Sequence, residues 1–188
     1  TAGTGMDALA HCIEAFSSPF YHPMAEGTAV EGLRLVKENI QEVYHNGSNI
    51  EARAHMLVAS MMGAAAFQKG LGAIHSITHP VNSLYHTHHG TTNGTVMPFV
   101  LNFNRSVIEK KFDRLAKFLN ISNGFEGVVD WIIELKKEME IPETLKEMGV
   151  NKGDEVKLAP LAQEDPSTGG NPLEMSEGKF QELILNCI

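Results

Sequence analysis

The sequence predicts an all-α protein, a multi-helix bundle, and three observations carry that prediction. Apolar residues recur at helical spacing, as in Met6, Leu9, Ala10 and Ile13 or Leu33, Val36, Ile40 and Val43, which puts each set on one helix face. Residues that stop helices fall mostly between those segments, at Pro19, Pro23, Asn46, Gly47, Gly70, Gly72 and Gly124. Nowhere do two alternating apolar and polar runs flank a hairpin turn, so no sheet is expected. The chain has 188 residues and no internal repeat, and one domain over residues 1–188 is expected.

The first helix is expected to start near Thr4, with Asp7 three residues on completing the outline of a capping box. Pro23 suits the first turn of a second helix, which Asn46-Gly47 stops. A third helix from about Glu51 to Gln68 is almost wholly apolar and rich in Ala, Met and Gly, so it is expected at the centre, buried on most sides. Ala73 to Tyr85 reads as a helix that Pro80 kinks unless it lies near the start. Thr87 to Gly90 is expected to be a loop, and Thr95 to Phe103 leaves strand and helix both open. Amphipathic helices follow at Val107 to Leu119 and Val128 to Met139. A short helix near Leu145, one from Val156 to Gln163, a Pro/Gly-rich loop from Pro166 to Pro172 and a last helix from Glu177 complete the chain.

Charge and composition narrow the function classes. With 23 acidic against 15 basic residues, a net charge of −8 and no Lys/Arg block, nucleic acid is not an expected partner. The longest nearly unbroken apolar run, Met56 to Phe67, is 12 residues, short of the roughly 18 a membrane span needs. Cys12 and Cys187 make neither a disulfide framework nor a zinc knuckle, so a reducing, cytoplasmic setting is expected. The chain opens at Thr1 directly ahead of a helical pattern and is expected to be a piece of something longer.

The histidines carry the chemistry. Asp7 and His11 stand four apart, as do His75 and His79, and His89 follows His75 by 14 residues. On helices each pair projects from one face. Two such pairs and a loop histidine can converge on one point in a bundle core, as helical metal sites do. Nitrogen ligands with one carboxylate suit Fe(II) or Zn(II) rather than Mg(II) or Ca(II). The segment Leu71 to Met97 holds five histidines and no acidic or basic residue, a costly arrangement unless something organises them. Spacing alone does not choose ligands among His75, His79, His86, His88 and His89, and Asp7 is equally explained as a capping carboxylate. His22, His45 and His55 are expected at the surface or at helix ends, and Cys12 as a small core residue. Ala2-Gly3-Thr4-Gly5 lacks the preceding strand and following acidic residue of a dinucleotide-binding turn.

Thr4-Gly5-Met6-Asp7-Ala8-Leu9-Ala10-His11-Cys12-Ile13-Glu14 resembles the helical motif of the iron-containing (group III) alcohol dehydrogenases. Gly70-Leu71-Gly72-Ala73-Ile74-His75-Ser76-Ile77-Thr78-His79-Pro80 resembles that family's second signature, continued by His89-Gly90, Asn93 and Pro98, and Asn171-Pro172 resembles a weaker late feature. The resemblance implies the C-terminal helical domain of the dehydroquinate synthase-like, iron-containing alcohol dehydrogenase fold. It implies a metal, Fe(2+) or Zn(2+) in its place, held by Asp7, His11, His75 and His89. Four ligands of this kind fit the iron alcohol dehydrogenases better than their glycerol dehydrogenase and dehydroquinate synthase relatives, which use three. His79 is then the catalytic histidine facing substrate and nicotinamide. Asn82 departs from the small residue common there, and His88 precedes the proposed ligand. These departures bear on substrate preference.

The activity so implied is NAD(P)-dependent oxidation of an alcohol to an aldehyde or ketone, and the reverse, with the metal as Lewis acid and hydride passing to the nicotinamide. His79 is the local candidate for relaying the proton. Family members carry an N-terminal nucleotide-binding domain with a Gly-rich phosphate loop, and no such segment occurs in these residues. The expected partners are therefore a small alcohol or aldehyde and that nucleotide-binding domain, in a homo-oligomer, and the domain alone is expected to be inactive. A helical metal-dependent phosphohydrolase is an alternative, but its usual adjacent His-Asp pair is lacking. A non-enzymatic metal-binding module is another.

Overall fold

In the computed structural model, which describes residues 1–188, the helix at the centre is the first, α1 (Ala2–Ser17), covered on nearly every side. Its Met6, Leu9, Ile13 and Phe16 are fully buried. It packs against α2 (Pro23–His45), α3 (Ile50–Ala66) and α5 (His89–Phe118). Behind α5 lies α6 (Gly124–Glu138), and α4 (Ala73–Tyr85) lies between α5 and α7 (Glu155–Glu164). The last helix, α8 (Glu177–Cys187), closes against α7 and α5. Turns of 3-10 helix at Phe67–Lys69, Leu145–Met148 and Pro166–Gly170 join these elements, and there is no strand. The fold is all-α, and no single helix is long and apolar enough to cross a membrane.

Four local expectations are corrected. Helix α1 begins with Thr1 at its N-cap, and Thr4 Oγ1 donates to the Thr1 carbonyl at 3.0 Å, so there is no capping box. Asp7 therefore sits beyond the free amides of the first turn, available for other work. Helix α3 is peripheral, not central: only Ala52, Ala59, Gly63 and Ala66 are buried, while Leu57 is 72% exposed and Met61 68%. Its small residues let it lie close on α1 and α2, which turns its larger side chains outward. The segment around His89 is not a loop, because His88 caps α5 through Nδ1, which accepts from Thr91 N at 3.3 Å. Helix α5 then runs unbroken through Pro98 to Phe118, joining two segments that the sequence left apart. Helix α4 likewise continues through Pro80.

Two contacts fix how α1 meets its neighbours. A Cβ on Gly90 would stand 1.9 Å from the Gly3 carbonyl oxygen and 3.0 Å from Asp7 Cβ, so the first turn of α5 touches α1 backbone to backbone. At the other end, Lys69 Nζ donates to the carbonyls of Ala15, Phe16 and Ser18 at 3.1, 3.3 and 2.8 Å. It closes the C-terminus of α1 with a positive charge, where the helix dipole favours one. Gly90→Ala is expected to lower stability by at least the roughly 1–3 kcal/mol typical of overpacking. Leu57→Lys should change it by no more than about 0.5 kcal/mol, as at other solvent-facing positions. Denaturant unfolding of the two variants checks the pair.

Candidate metal centre

Asp7, His11 and Glu14 follow one another at helical spacing and form a polar stripe on the buried helix α1. Helix α4 sets His75 and His79 one turn apart, and the start of α5 sets His89 and Asn93. The ligand-type atoms of Asp7, His11 and His75 lie within 4.8 Å of one another. His89 Nε2 joins them 3.3 Å from Asp7 Oδ1. His79 stands beside the group, its ring stacked on that of His89 at 5.5 Å and 5.7 Å from that of His75. All five side chains singled out by the sequence are thus brought together. His86 and His88 are not: His86 ends α4 in the left-handed conformation at φ 54°, and His88 is the cap of α5. His22 and His45 serve at the two ends of α2.

Each clustered histidine is oriented by a partner. His75 Nδ1 lies 2.5 Å from Glu14 Oε2, His79 Nδ1 lies 2.7 Å from Asp165 Oδ2, and His89 Nδ1 lies 2.9 Å from Asn82 Oδ1. Asn82 Nδ2 donates to Thr87 and Thr92 hydroxyls, which leaves its oxygen to face His89. In all three rings Nδ1 is the nitrogen held by this partner, and in His75 and His89 Nε2 faces Asp7 and Asn93; an outer hydrogen bond on Nδ1 is the usual way a ligating imidazole is aimed. His11 is held by stacking instead, with its ring centroid 4.7 Å from that of His75 and 5.4 Å from that of Phe67. Glu14 Oε1 also accepts from Ile74 N at 2.7 Å, and Asn171 Oδ1 accepts from Ala73 N at 3.2 Å. These two side chains cap α4 from outside, since its own N-cap, Gly72, has no side chain. A Cβ there would stand 3.0 and 3.1 Å from those oxygens.

The balance of charge asks for a cation. Burial pushes the Asp7 carboxyl up, but hydrogen bonds from His75 and His89 outweigh it and hold Asp7 well below the usual carboxylate range. Burial pushes His75 down, yet the negative charges of Glu14 and Asp7 prevail and bring it up to about 9. Burial also pushes His11 down and outweighs the opposite pull of Asp7, so the neutral ring is favoured. Asn93 Nδ2 lies 2.8 Å from Asp7 Oδ1 and 3.2 Å from Nε2 of both His75 and His89, one amide nitrogen facing three acceptor-type atoms. Its Oδ1, fully buried, has no partner. One carboxylate, three imidazoles and an orphaned carbonyl are a donor set that a divalent, nitrogen-preferring ion fits. Cys12 takes no part as a nucleophile, since burial pushes its thiol up to about 12.

Reasoning from the sequence missed Asp165 altogether, and it treated Asn82 only as a departure and Glu14 and Asn93 only as parts of motifs. Glu14 had a signal, a carboxylate three residues past His11 and seven past Asp7 in an otherwise apolar stretch. Asp165 had none toward the site, because its visible role is to cap the turn at Pro166–Gly170.

An all-α bundle with these histidines belongs to a known class. The family described as Fe-containing alcohol dehydrogenase, C-terminal, matches residues 1–188, and the chain belongs to that family. It is 36% identical over 193 aligned residues to 4-hydroxybutyrate dehydrogenase of Cupriavidus necator, covering 98% of this chain and 50% of the relative. It is 34% identical to the NAD-dependent methanol dehydrogenase of Bacillus methanolicus, covering 100% of this chain and 51% of the relative. The crystal structure of a 1,3-propanediol oxidoreductase superposes with a TM-score of 0.94 at 30% identity, over 100% of this chain and 51% of that one. The chain therefore spans about half the length of the curated relatives it matches.

With His75 held up to about 9, its Nε2 carries a proton at neutral pH that any cation entering beside Asp7 must displace. Zn(2+) added at pH 7 is therefore expected to release a proton. Apparent affinity should rise about tenfold per pH unit toward pH 9 and then level off. Calorimetry in buffers of differing ionisation enthalpy measures the proton count, and a binding heat that does not change with the buffer would overturn it.

Proposed function

We propose that this chain is the metal-binding half of an NAD(P)-dependent, iron-containing alcohol dehydrogenase, with Asp7, His11, His75 and His89 as ligands of one divalent iron and His79 as the catalytic residue beside them. The observation that carries this reading is the convergence of one carboxylate and the imidazoles of α1, α4 and α5 at one point, with Asp7, His11 and His75 mutually within 4.8 Å. Zinc suits the same donors and is the expected substitute. Membership of the family and relatives that act on 4-hydroxybutyrate and methanol support oxidation of a small alcohol.

When bound, the ion supplies Lewis acidity toward an alcohol oxygen. The chain's residues do the rest. Asp7 contributes the one negative charge among the ligands, and the outer hydrogen bonds of His75 and His89 aim their Nε2 lone pairs inward. His79 has its Nδ1 engaged by Asp165 and its side chain 43% exposed, so Nε2 is the atom that takes the hydroxyl proton and passes it to water. A nicotinamide held by the other half would accept hydride from the carbinol carbon, so that alcohol plus NAD(P)+ would give aldehyde or ketone plus NAD(P)H and one proton. The nucleotide is assigned to the half of the relatives that this chain does not match.

Anaerobic iron loading followed by elemental analysis is expected to give about one ion per chain, as a single four-ligand site requires. His75→Ala or His89→Ala should abolish it, and His79→Ala should not. Loss of metal in His79→Ala with retention in His89→Ala would overturn the ligand assignment. These residues alone are expected to hold metal yet show neither saturable NAD binding nor alcohol turnover. Calorimetric titration with NAD and a dye-coupled alcohol assay check that, and turnover by this chain alone would refute the division of labour.

A further inference from the structure

The metal reading leaves one buried acidic side chain without a role. Glu14 is 5% exposed, lies on the same helix as Asp7 and His11, and is not among the proposed ligands. Its two oxygens point to two different partners. Oε1 accepts from the Ile74 amide at 2.7 Å, within the first turn of α4, and Oε2 lies 2.5 Å from Nδ1 of His75 one residue further on.

Resting on the metal-site reading above, we propose that Glu14 is a positioning residue that fixes His75 in the form with hydrogen on Nδ1, so that Nε2 offers its lone pair to the ion. A carboxylate only accepts hydrogen bonds, so a ring nitrogen facing it must carry hydrogen. The other nitrogen is then the bare one in the neutral ring. The bond from Ile74 N sets the carboxylate, the carboxylate sets the ring, and both anchors belong to α1 and α4, the helices that must meet for the site to exist. The oxygen of Asn82 does for His89 what Glu14 does for His75, but without charge. His75 is thereby the ligand tied most firmly to the fold, and it alone among the clustered histidines is almost wholly buried, at 1% exposure.

The role is separable from helix capping by two substitutions. Glu14→Gln keeps an oxygen for the Ile74 amide but turns an NH2 toward His75 Nδ1. The ring must then accept there and place its hydrogen on Nε2, where the lone pair is needed. Asn171→Ala removes the neighbouring cap on Ala73 N and leaves His75 and Glu14 bonded. Competition titration of Zn(2+) against a chromophoric chelator is expected to show Glu14→Gln weaker by about 10–100-fold, the usual effect of losing such an outer partner. Asn171→Ala should leave the affinity of the folded chain where it was. Unchanged affinity in Glu14→Gln, or an equal loss in Asn171→Ala, overturns the proposal while the metal site stands. No uptake by the unaltered chain removes the site and the proposal together. Nitrogen-15 spectra of the zinc-loaded, unaltered chain test it without any variant: His75 must show hydrogen on Nδ1 and metal on Nε2, and the reverse overturns it.

Discussion

The polar stripe on α1 is the constraint on which the rest of the structure turns. Glu14 is buried on a helix covered on nearly every side and Asp7 and His11 are half-buried, so the carboxylates draw their partners from the neighbouring helices. Each neighbour answers with a specific feature. Helix α4 arrives N-terminus first, its free amides at Ala73 and Ile74 taken by Asn171 and Glu14. Helix α5 arrives with Gly90 against Gly3, close enough for His89 and Asn93 to reach Asp7. Helix α3 contributes a glycine, since a Cβ at Gly63 would lie 3.0 Å from His11 Cβ and 3.2 Å from Cys12 Sγ. The neighbouring helices meet α1 where its polar groups are, and Glu14 is the one that water does not reach.

The same constraint explains the electrostatics. Two carboxylates on one side of a helix, Asp7 and Glu14, flank a single buried imidazole, and the positive charge they demand is supplied by the second proton of His75. A divalent ion ligated by Nε2 would take over that role with more charge and better geometry, which is why proton release and metal uptake are two sides of one exchange. Lys69 plays the corresponding part at the C-terminus of α1, where burial pushes its ammonium down to about 8 while three carbonyls keep it in place.

Much of this was legible in the sequence, and what was not has a physical cause. The sequence located every helix except the first half of α5, and the two i, i+4 pairs placed Asp7, His11, His75 and His79 on the right faces. Periodicity did not show that α3 is peripheral, because apolar residues all round a helix fit a buried core and a face packed through Ala and Gly equally well. It left α5 in two pieces because Pro98 removes one hydrogen bond, a loss that a 30-residue helix buried along much of its length absorbs. Five histidines in one segment could not be sorted by spacing, since the sorting depends on caps. His86 and His88 are spent on ending α4 and starting α5, and only the backbone reveals it. Glu14 was hidden for another reason: a carboxylate three residues past a histidine has no meaning until Ile74 and His75 are brought against it.

The cluster also has a front and a back. His75 and Glu14 are sealed inside at 1% and 5% exposure, whereas the side chains of His79 and His89 are 43% and 37% exposed, their rings stacked on each other. Groups that set charge and ring orientation lie behind the site, and the group proposed to exchange a proton lies at its mouth. Helices α1, α4 and α5 supply every proposed ligand between Asp7 and His89, so the proposed site draws on no residue outside this chain. The closed side is occupied by Glu14 and the start of α4, so the exposed edges of His79 and His89 are the side left open to anything that joins the cluster from outside.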